Sequence, residues 1–163
     1  PIRLSYDALN IPAQSTTVHE ATCDVAEAYE QHAGRAYDMK VHYMLAHYHA
    51  HGMGMRLEVA GGPNDGEALY DVQDAYGSTL GLTLDEPFDL TGSTGLRFSC
   101  THRNLTEETV RFGIGDQEMC MMLGFVEGGA RFDMTVGANS EYSEADGVHL
   151  RTGPCQVLGA RFE

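Results

Sequence analysis

Three histidines stand at alternate positions in the stretch Val41–Val59, VHYMLAHYHAHGMGMRLEV: His47, His49 and His51, with Met53 and Met55 following. In an extended strand, residues i and i+2 share a face. Their Cα atoms lie roughly 6.6 Å apart. Two imidazoles at that spacing can lean onto one ion, because metal–nitrogen bonds are about 2.0–2.1 Å long. A helix would set i and i+2 about 200° apart and scatter the rings. Val41, Tyr43, Leu57 and Val59 favour a strand over Val41–Val59. The first expectation is therefore chemical: an extended His-x-His pair, His49 and His51, that holds a metal.

Two imidazoles need a third donor. The strongest candidate lies in Glu118-Met119-Cys120-Met121-Met122. A thioether is a soft donor suited to Cu(I), and imidazole serves both copper oxidation states. Zinc more often recruits cysteine or carboxylate. Two histidines with Met119 thus point to one copper ion that cycles between Cu(I) and Cu(II). Met119, Met121 and Met122 also suit the filling of a core. Met53 and Met55 continue the odd-numbered face, but Gly52 and Gly54 invite a bulge that turns them away. His47 shares the face of His49 and His51 and is a fourth candidate ligand; its other reading is a neighbour that does not bind the ion. His19, His32, His42, His102 and His149 lack a partner pattern. No Ser-His-Asp grouping or phosphate-cradling glycine loop stands out.

The elements that must position these residues are strands. The 163 residues suffice for one domain with a core. Strands are expected at Ser15–Val25, Ala68–Gln73, Leu96–His102, Thr106–Ile114, Glu118–Glu127 and Arg131–Val136, with one or two more in Val148–Phe162. Pro1–Gln14 reads as loops or an edge strand. Leu82–Leu90, interrupted by Pro87, reads as an edge or irregular strand. Gly128-Gly129 ends one strand, and Ala138–Gly147 is expected to be a loop. Ala26–Gly34 is the one good helix signal, rich in alanine and glutamate and closed by Gly34. Many short strands with glycine-rich turns predict an all-β, antiparallel β-sandwich of jelly-roll type with a short helical insertion near 26–34.

A formal net charge of −14 argues against nucleic acid, which needs a basic surface. It favours solubility and attracts cations. No apolar run approaches the ~20 residues of a membrane span. No secretory signal is visible, and Pro1 in place of Met suggests a mature or trimmed chain. Cys23, Cys100, Cys120 and Cys155 are even in number and lack a C-x-x-C. Two disulfides and an oxidising compartment are expected; four buried thiols are the alternative. Spacing alone leaves three pairings open.

The motifs together resemble the second copper domain of the copper type II, ascorbate-dependent monooxygenases, the family of peptidylglycine α-hydroxylating monooxygenase and dopamine β-monooxygenase. HAHGMG, with His49 and His51, looks like that domain's His-x-His element, and FGIGDQEMC looks like its Gly-rich approach to a Glu-Met-Cys tripeptide, here Glu118-Met119-Cys120. LDEPFDLTGSTGLRFSC and NIPAQSTTVHEATC look like strands of the same domain. The resemblance spans roughly Ile11 to Glu127. It implies His49, His51 and Met119 as copper ligands, Cys100–Cys120 and Cys23–Cys155 as disulfides, and a jelly-roll sandwich carrying copper near its surface. It also implies hydroxylation of a C–H bond with O₂.

The departures are specific. The family's enzymes have two domains, the first with its own copper on three histidines including a His-His pair; this chain contains no His-His. Residues 1–163 are read as a single copper domain. Ala26–Gly34 is the insertion. The positions that anchor a peptide carboxylate in the family are occupied by His47, Met121 and Leu123. A glycine-extended peptide is therefore not the expected substrate. Two functions are expected from these readings. One is an oxygen-using copper enzyme supplied by an external electron donor or small reductant and acting on a small molecule. The other is a non-catalytic copper carrier, sensor or electron-transfer module with a copper-exchange partner. Both lie outside the cytoplasm, periplasmic or secreted.

Overall fold

In the computed structural model, the described residues are 1–77, 81–127, 130–137, 140–146 and 148–162. The elements run β1 (Ile2–Tyr6), β2 (Asn10–Ile11), β3 (Ser15–Cys23), α1 (Val25–Ala33), β4 (Lys40–His47), β5 (Gly52–Ala60), β6 (Ala68–Val72) and β7 (Gly81–Asp89). They continue with β8 (Gly95–Asn104), β9 (Val110–Arg111), β10 (Met121–Glu127), β11 (Ala130–Val136), β12 (Glu141–Ala145), β13 (Val148–Pro154) and β14 (Gln156–Phe162). Two six-stranded sheets form, ordered β14-β11-β1-β10-β4-β7 and β12-β13-β3-β8-β5-β6, with β2 and β9 paired apart. The protein is an all-β sandwich with one short helix. That helix is too short and too polar to cross a membrane, and none among the described residues meets that requirement.

Period-two patterning builds the core between the sheets. On β3, Thr17, His19, Ala21 and Cys23 are buried, and on β8 so are Leu96, Phe98, Cys100, His102 and Asn104. Leu4, Met44, Ala46, Met122 and Phe132 meet them from the other sheet. The helix forms as its residue types dictate. Asp24 caps it by accepting the Glu27 N–H at 2.9 Å, and Gly34 closes it in the left-handed conformation that glycine adopts without cost. Disulfides join Cys23 to Cys155 and Cys100 to Cys120, the two pairs that the resemblance implies.

Several expectations are corrected. Val41–Val59 is two strands in opposite sheets, joined by Tyr48–His51. Pairing is mixed: β1 runs parallel to β11 and β3 parallel to β13. β1 is an interior strand between β10 and β11, buried through Ile2, Leu4 and Tyr6; its parallel partner lies too far along the chain to be read locally. Thr106–Ile114 keeps only β9, because the Asn104 amide bonds the carbonyls of Ile11, Pro12 and Glu108 while its Oδ1 takes the Thr106 N–H. Such side-chain bonds compete with a strand ladder. Ala138–Gly147 contains β12, an edge strand exposed along its whole length, so no alternation betrays it; residues 138, 139 and 147 lie outside the described residues, as do Gly128 and Gly129. The bulge at Gly52/Gly54 forms, and the Pro87 strand is an edge, β7.

The core has a polar end. Thr17, His19, His102 and Asn104 are all fully buried and sit where β3 begins and β8 finishes. The His19 ring lies 5.0 Å from Tyr6 and 5.5 Å from His102, edge to face in both cases. Burial, with the His102 and Arg151 charges adding to it, holds His19 down to about 3. An unfolded histidine titrates near 6.5. The unfolded chain therefore takes up a proton that the native one refuses. The stability supplied by neutral His19 is whole above pH 6.5 and is lost as the pH falls from 6.5 towards 3. Thermal melts should show a fall in Tm across that window that His19→Gln, which does not titrate, makes shallower. Equal slopes for the two proteins would show that His19 is not the group responsible.

Candidate metal centre

The two sheets are bridged where β4 hands over to β5. Tyr48 is buried and its hydroxyl donates to the Ala75 carbonyl at 2.9 Å. The Gly52 N–H returns to the His49 carbonyl at 3.1 Å, so the crossover is a tight turn. Gly52 is required there: a Cβ would lie 2.0 Å from the Tyr48 ring. His49 and His51 are half-buried on this turn, not on a strand. The approach to Met119 comes from the other side. Gly113 N–H bonds the Glu118 carbonyl and Glu118 N–H bonds the Arg111 carbonyl, at 3.0 and 2.9 Å. The Cys100–Cys120 disulfide then ties the end of this segment to β8.

Glu118 joins the two halves. Its side chain is fully buried. One carboxylate oxygen accepts the N–H of His49 and, at 2.8 Å, the N–H of Met119. The other accepts the N–H of His51 at 2.9 Å. A carboxylate is an acceptor with about four lone-pair sites, and three amide donors satisfy most of them. The backbones of all three expected ligands are thereby hydrogen-bonded to one side chain. This also explains why Val41–Val59 is not one strand. The amides of His49 and His51, which a ladder would need, are spent on Glu118.

The His49 ring is itself oriented from the Met119 segment. His49 Nδ1 lies 2.8 Å from the Gln117 carbonyl. A carbonyl only accepts, so Nδ1 carries the proton and Nε2 offers its lone pair. This hydrogen bond from a ligand's second nitrogen is the usual support for a metal-bound histidine. His51 borders a groove of about 370 Å³ shared with Ala50, Thr106, Glu108, Asp116 and Gln117. Met119 is half-buried, and its carbonyl accepts from His102 Nε2 at 3.1 Å.

His47 ends β4, opposite Met121 at the start of β10. Its ring stands 5.4 Å from that of His49, nearly perpendicular. Burial lowers its pKa, the neighbouring His49 lowers it further, and Glu118 opposes both; the ring is a neutral nitrogen donor. Yet among the described residues no group of three or more His, Cys, Asp or Glu side chains is arranged to hold a metal ion. With no third imidazole or carboxylate to complete a site beside His49 and His51 among the described residues, a metal held here would need the Met119 sulfur. Met53 occupies the bulge and Met55 is buried in the core, so neither joins. Met121 and Met122 are buried. His42 pairs with Glu127, His149 with Tyr142, and His32 with the Ala28 carbonyl.

Sequence reasoning missed Glu118, Gln117 and His102 as parts of the centre. For Glu118 a signal existed: an acidic residue opening a run as apolar as Met119–Val126 must be paired if it is buried. No protein-family model matches the chain, and no curated protein matches it.

The residue types of His49, His51 and Met119 would fit copper. Imidazole nitrogens and a thioether would suit Cu(I) and tolerate Cu(II), and the four cysteines are taken up in disulfides. Glu118→Gln replaces one acceptor oxygen by a donor and faces it with an N–H. It should cost about 1–3 kcal/mol of stability, measured by urea unfolding, and lower metal affinity by about 10–100-fold. A variant with unchanged stability and affinity would show that the carboxylate does not organise the turn.

Proposed function

We propose that the protein binds one copper ion through His49, His51 and Met119, as a mononuclear centre like the oxygen-activating domain of the copper type II monooxygenases. The observation that supports this most is the Glu118 carboxylate, which accepts the backbone N–H groups of all three residues. The motif resemblance of HAHGMG and Glu118-Met119-Cys120 points the same way. When bound, copper would supply one-electron Cu(I)/Cu(II) chemistry and binding of O₂ for hydroxylation of a C–H bond.

The chain's own residues have definable parts in this reading. His49 and His51 donate nitrogen; the Gln117 carbonyl sets the tautomer of His49. The Met119 thioether favours the reduced ion. The groove beside His51, about 370 Å³, falls within the range of small-molecule sites and gives a substrate a place next to the metal. In this reading the electrons are supplied from outside these 163 residues, by a donor or a small reductant such as ascorbate. Two disulfides are compatible with an oxidising compartment; periplasm or secretion is the location that goes with this function.

One observation favours a second reading, a copper carrier, sensor or electron-transfer module. The family's substrate-anchoring positions are held by His47, Met121 and Leu123, which are paired or neighbouring strand residues of β4 and β10. None is a charged anchor for a carboxylate. Met121 beside His47 instead offers a soft donor next to the centre, suited to passing Cu(I) on.

Competition titration with a Cu(I) chelator should give one ion per chain. His49→Ala, His51→Ala and Met119→Ala should each weaken binding by at least about tenfold, the loss seen when even a ligand's hydrogen-bond partner is removed, and His47→Ala by clearly less. Oxygen uptake that needs both copper and ascorbate, with a hydroxylated product, would select the enzyme. Tight Cu(I) binding without uptake would select the carrier. Full affinity retained after loss of both His49 and Met119 would end the assignment.

A further inference from the structure

The polar end of the core is built more elaborately than a sandwich needs. Thr17 Oγ1, His19 Nδ1 and His102 Nδ1 are buried and have no hydrogen-bond partner among the described residues. They are neighbours. Thr17 and His102 are directly paired across β3 and β8, Thr17 and His19 share the inward face of β3, and the His19 and His102 rings are 5.5 Å apart. Tyr6 packs edge to face on His19 from the opposite sheet. Three such groups left bare would cost about 1–3 kcal/mol each.

Their chemistry is complementary. The Asn10 N–H donates to His19 Nε2 at 3.3 Å, so the neutral ring carries its proton on Nδ1, and Nδ1 is a donor without an acceptor. His102 Nε2 faces the Met119 carbonyl at 3.1 Å and must carry the proton. Its Nδ1 is therefore an acceptor without a donor. The two nitrogens do not bond each other, but they fit the two sides of a molecule that accepts once and donates once. The Thr17 hydroxyl completes a third contact. Buried water makes about three hydrogen bonds of this kind.

We propose that an ordered water molecule is bound between Thr17, His19 and His102, behind Met119. It accepts from His19 Nδ1–H, donates to His102 Nδ1 and bonds the Thr17 hydroxyl. It locks the His102 ring, and that ring in turn holds the Met119 carbonyl. The water is thus a structural ligand beneath the candidate metal loop, and its presence depends on no metal.

The full metal-free chain tests this by NMR. Long-range ¹H–¹⁵N correlation of the imidazoles should give His19 as the Nδ1–H tautomer and His102 as the Nε2–H tautomer. Water cross-relaxation should appear at the His19 Nδ1 proton and at the His102 ring protons. The water cross-relaxation at the His102 ring protons should be lost in Thr17→Val/His19→Phe. The opposite tautomer on either ring would overturn the proposal, as would absence of water cross-peaks in the wild-type protein or their survival unchanged in a folded double variant. Should that variant not fold, the wild-type spectra decide alone. Copper affinity is not part of the readout, so failure here leaves the metal assignment untouched, and the reverse also holds.

Discussion

A carboxylate taken wholly out of water is costly unless donors surround it. Glu118 is such a carboxylate, and the donors it finds are the main-chain N–H groups of His49, His51 and Met119. The constraint acts in both directions. The charge cannot be buried unless the crossover turn and the Met119 segment meet, and those two segments cannot leave their ladders unless an acceptor replaces the lost carbonyls. The local geometry around the candidate ligands follows from this single exchange. Side chains on a turn held only by water would have no fixed relation to a sulfur arriving from another strand.

The remainder of the fold keeps that meeting point in place. Cys100–Cys120 ties the residue after Met119 to β8, and the Tyr6 N–H takes the Cys120 carbonyl at 3.0 Å. The segment is therefore anchored to both sheets. The far end of the sandwich is apolar, with Leu57, Val59, Leu96 and Phe98 in its core, and supplies the hydrophobic burial that drives folding. The near end gives up part of that burial to hold His19, His102 and Asn104. Buried polar groups at one end of a core rigidify it only when each finds a partner. Here the side-chain nitrogens of all three reach main chain outside the two large sheets: Asn10 for His19, Met119 for His102, and Ile11, Pro12 and Glu108 for Asn104.

The sandwich, the helix over 26–34 and most strands were legible because period-two alternation and glycine punctuation are local signals. The Val41–Val59 stretch misled for a physical reason. Its alternation is real on both sides, with Met44 and Ala46 inward on β4 and Met55, Leu57 and Val59 inward on β5, and nothing local says that the chain changes sheets between them. What breaks the strand is Glu118, distant in sequence. β1 was misplaced for the same reason, since its parallel partner β11 is contributed by the far end of the chain. The candidate ligands are named from residue types and motif alone. The way they are held was not legible there, because it runs through main-chain amides, which every sequence possesses.

Moving His49 and His51 from a strand to a turn changes what His47 means. On one strand the three rings would share a face at equal intervals, and a closed site of three imidazoles would be natural. In the structure His47 belongs to the sheet, in register with Met121, while His49 and His51 belong to the crossover and owe their placement to Glu118. The His47 ring meets His49 edge to face, an arrangement that stabilises a ring contact without turning both nitrogens to one point. His51, not His47, lines the groove. In the proposed centre of two imidazoles and one thioether, the groove would leave the His51 side approachable, and His47 would stand beside His49 as a further imidazole. Were His47 to bind the ion too, the proposed site would close and suit metal transfer; were it to stay out, a position would remain open for O₂.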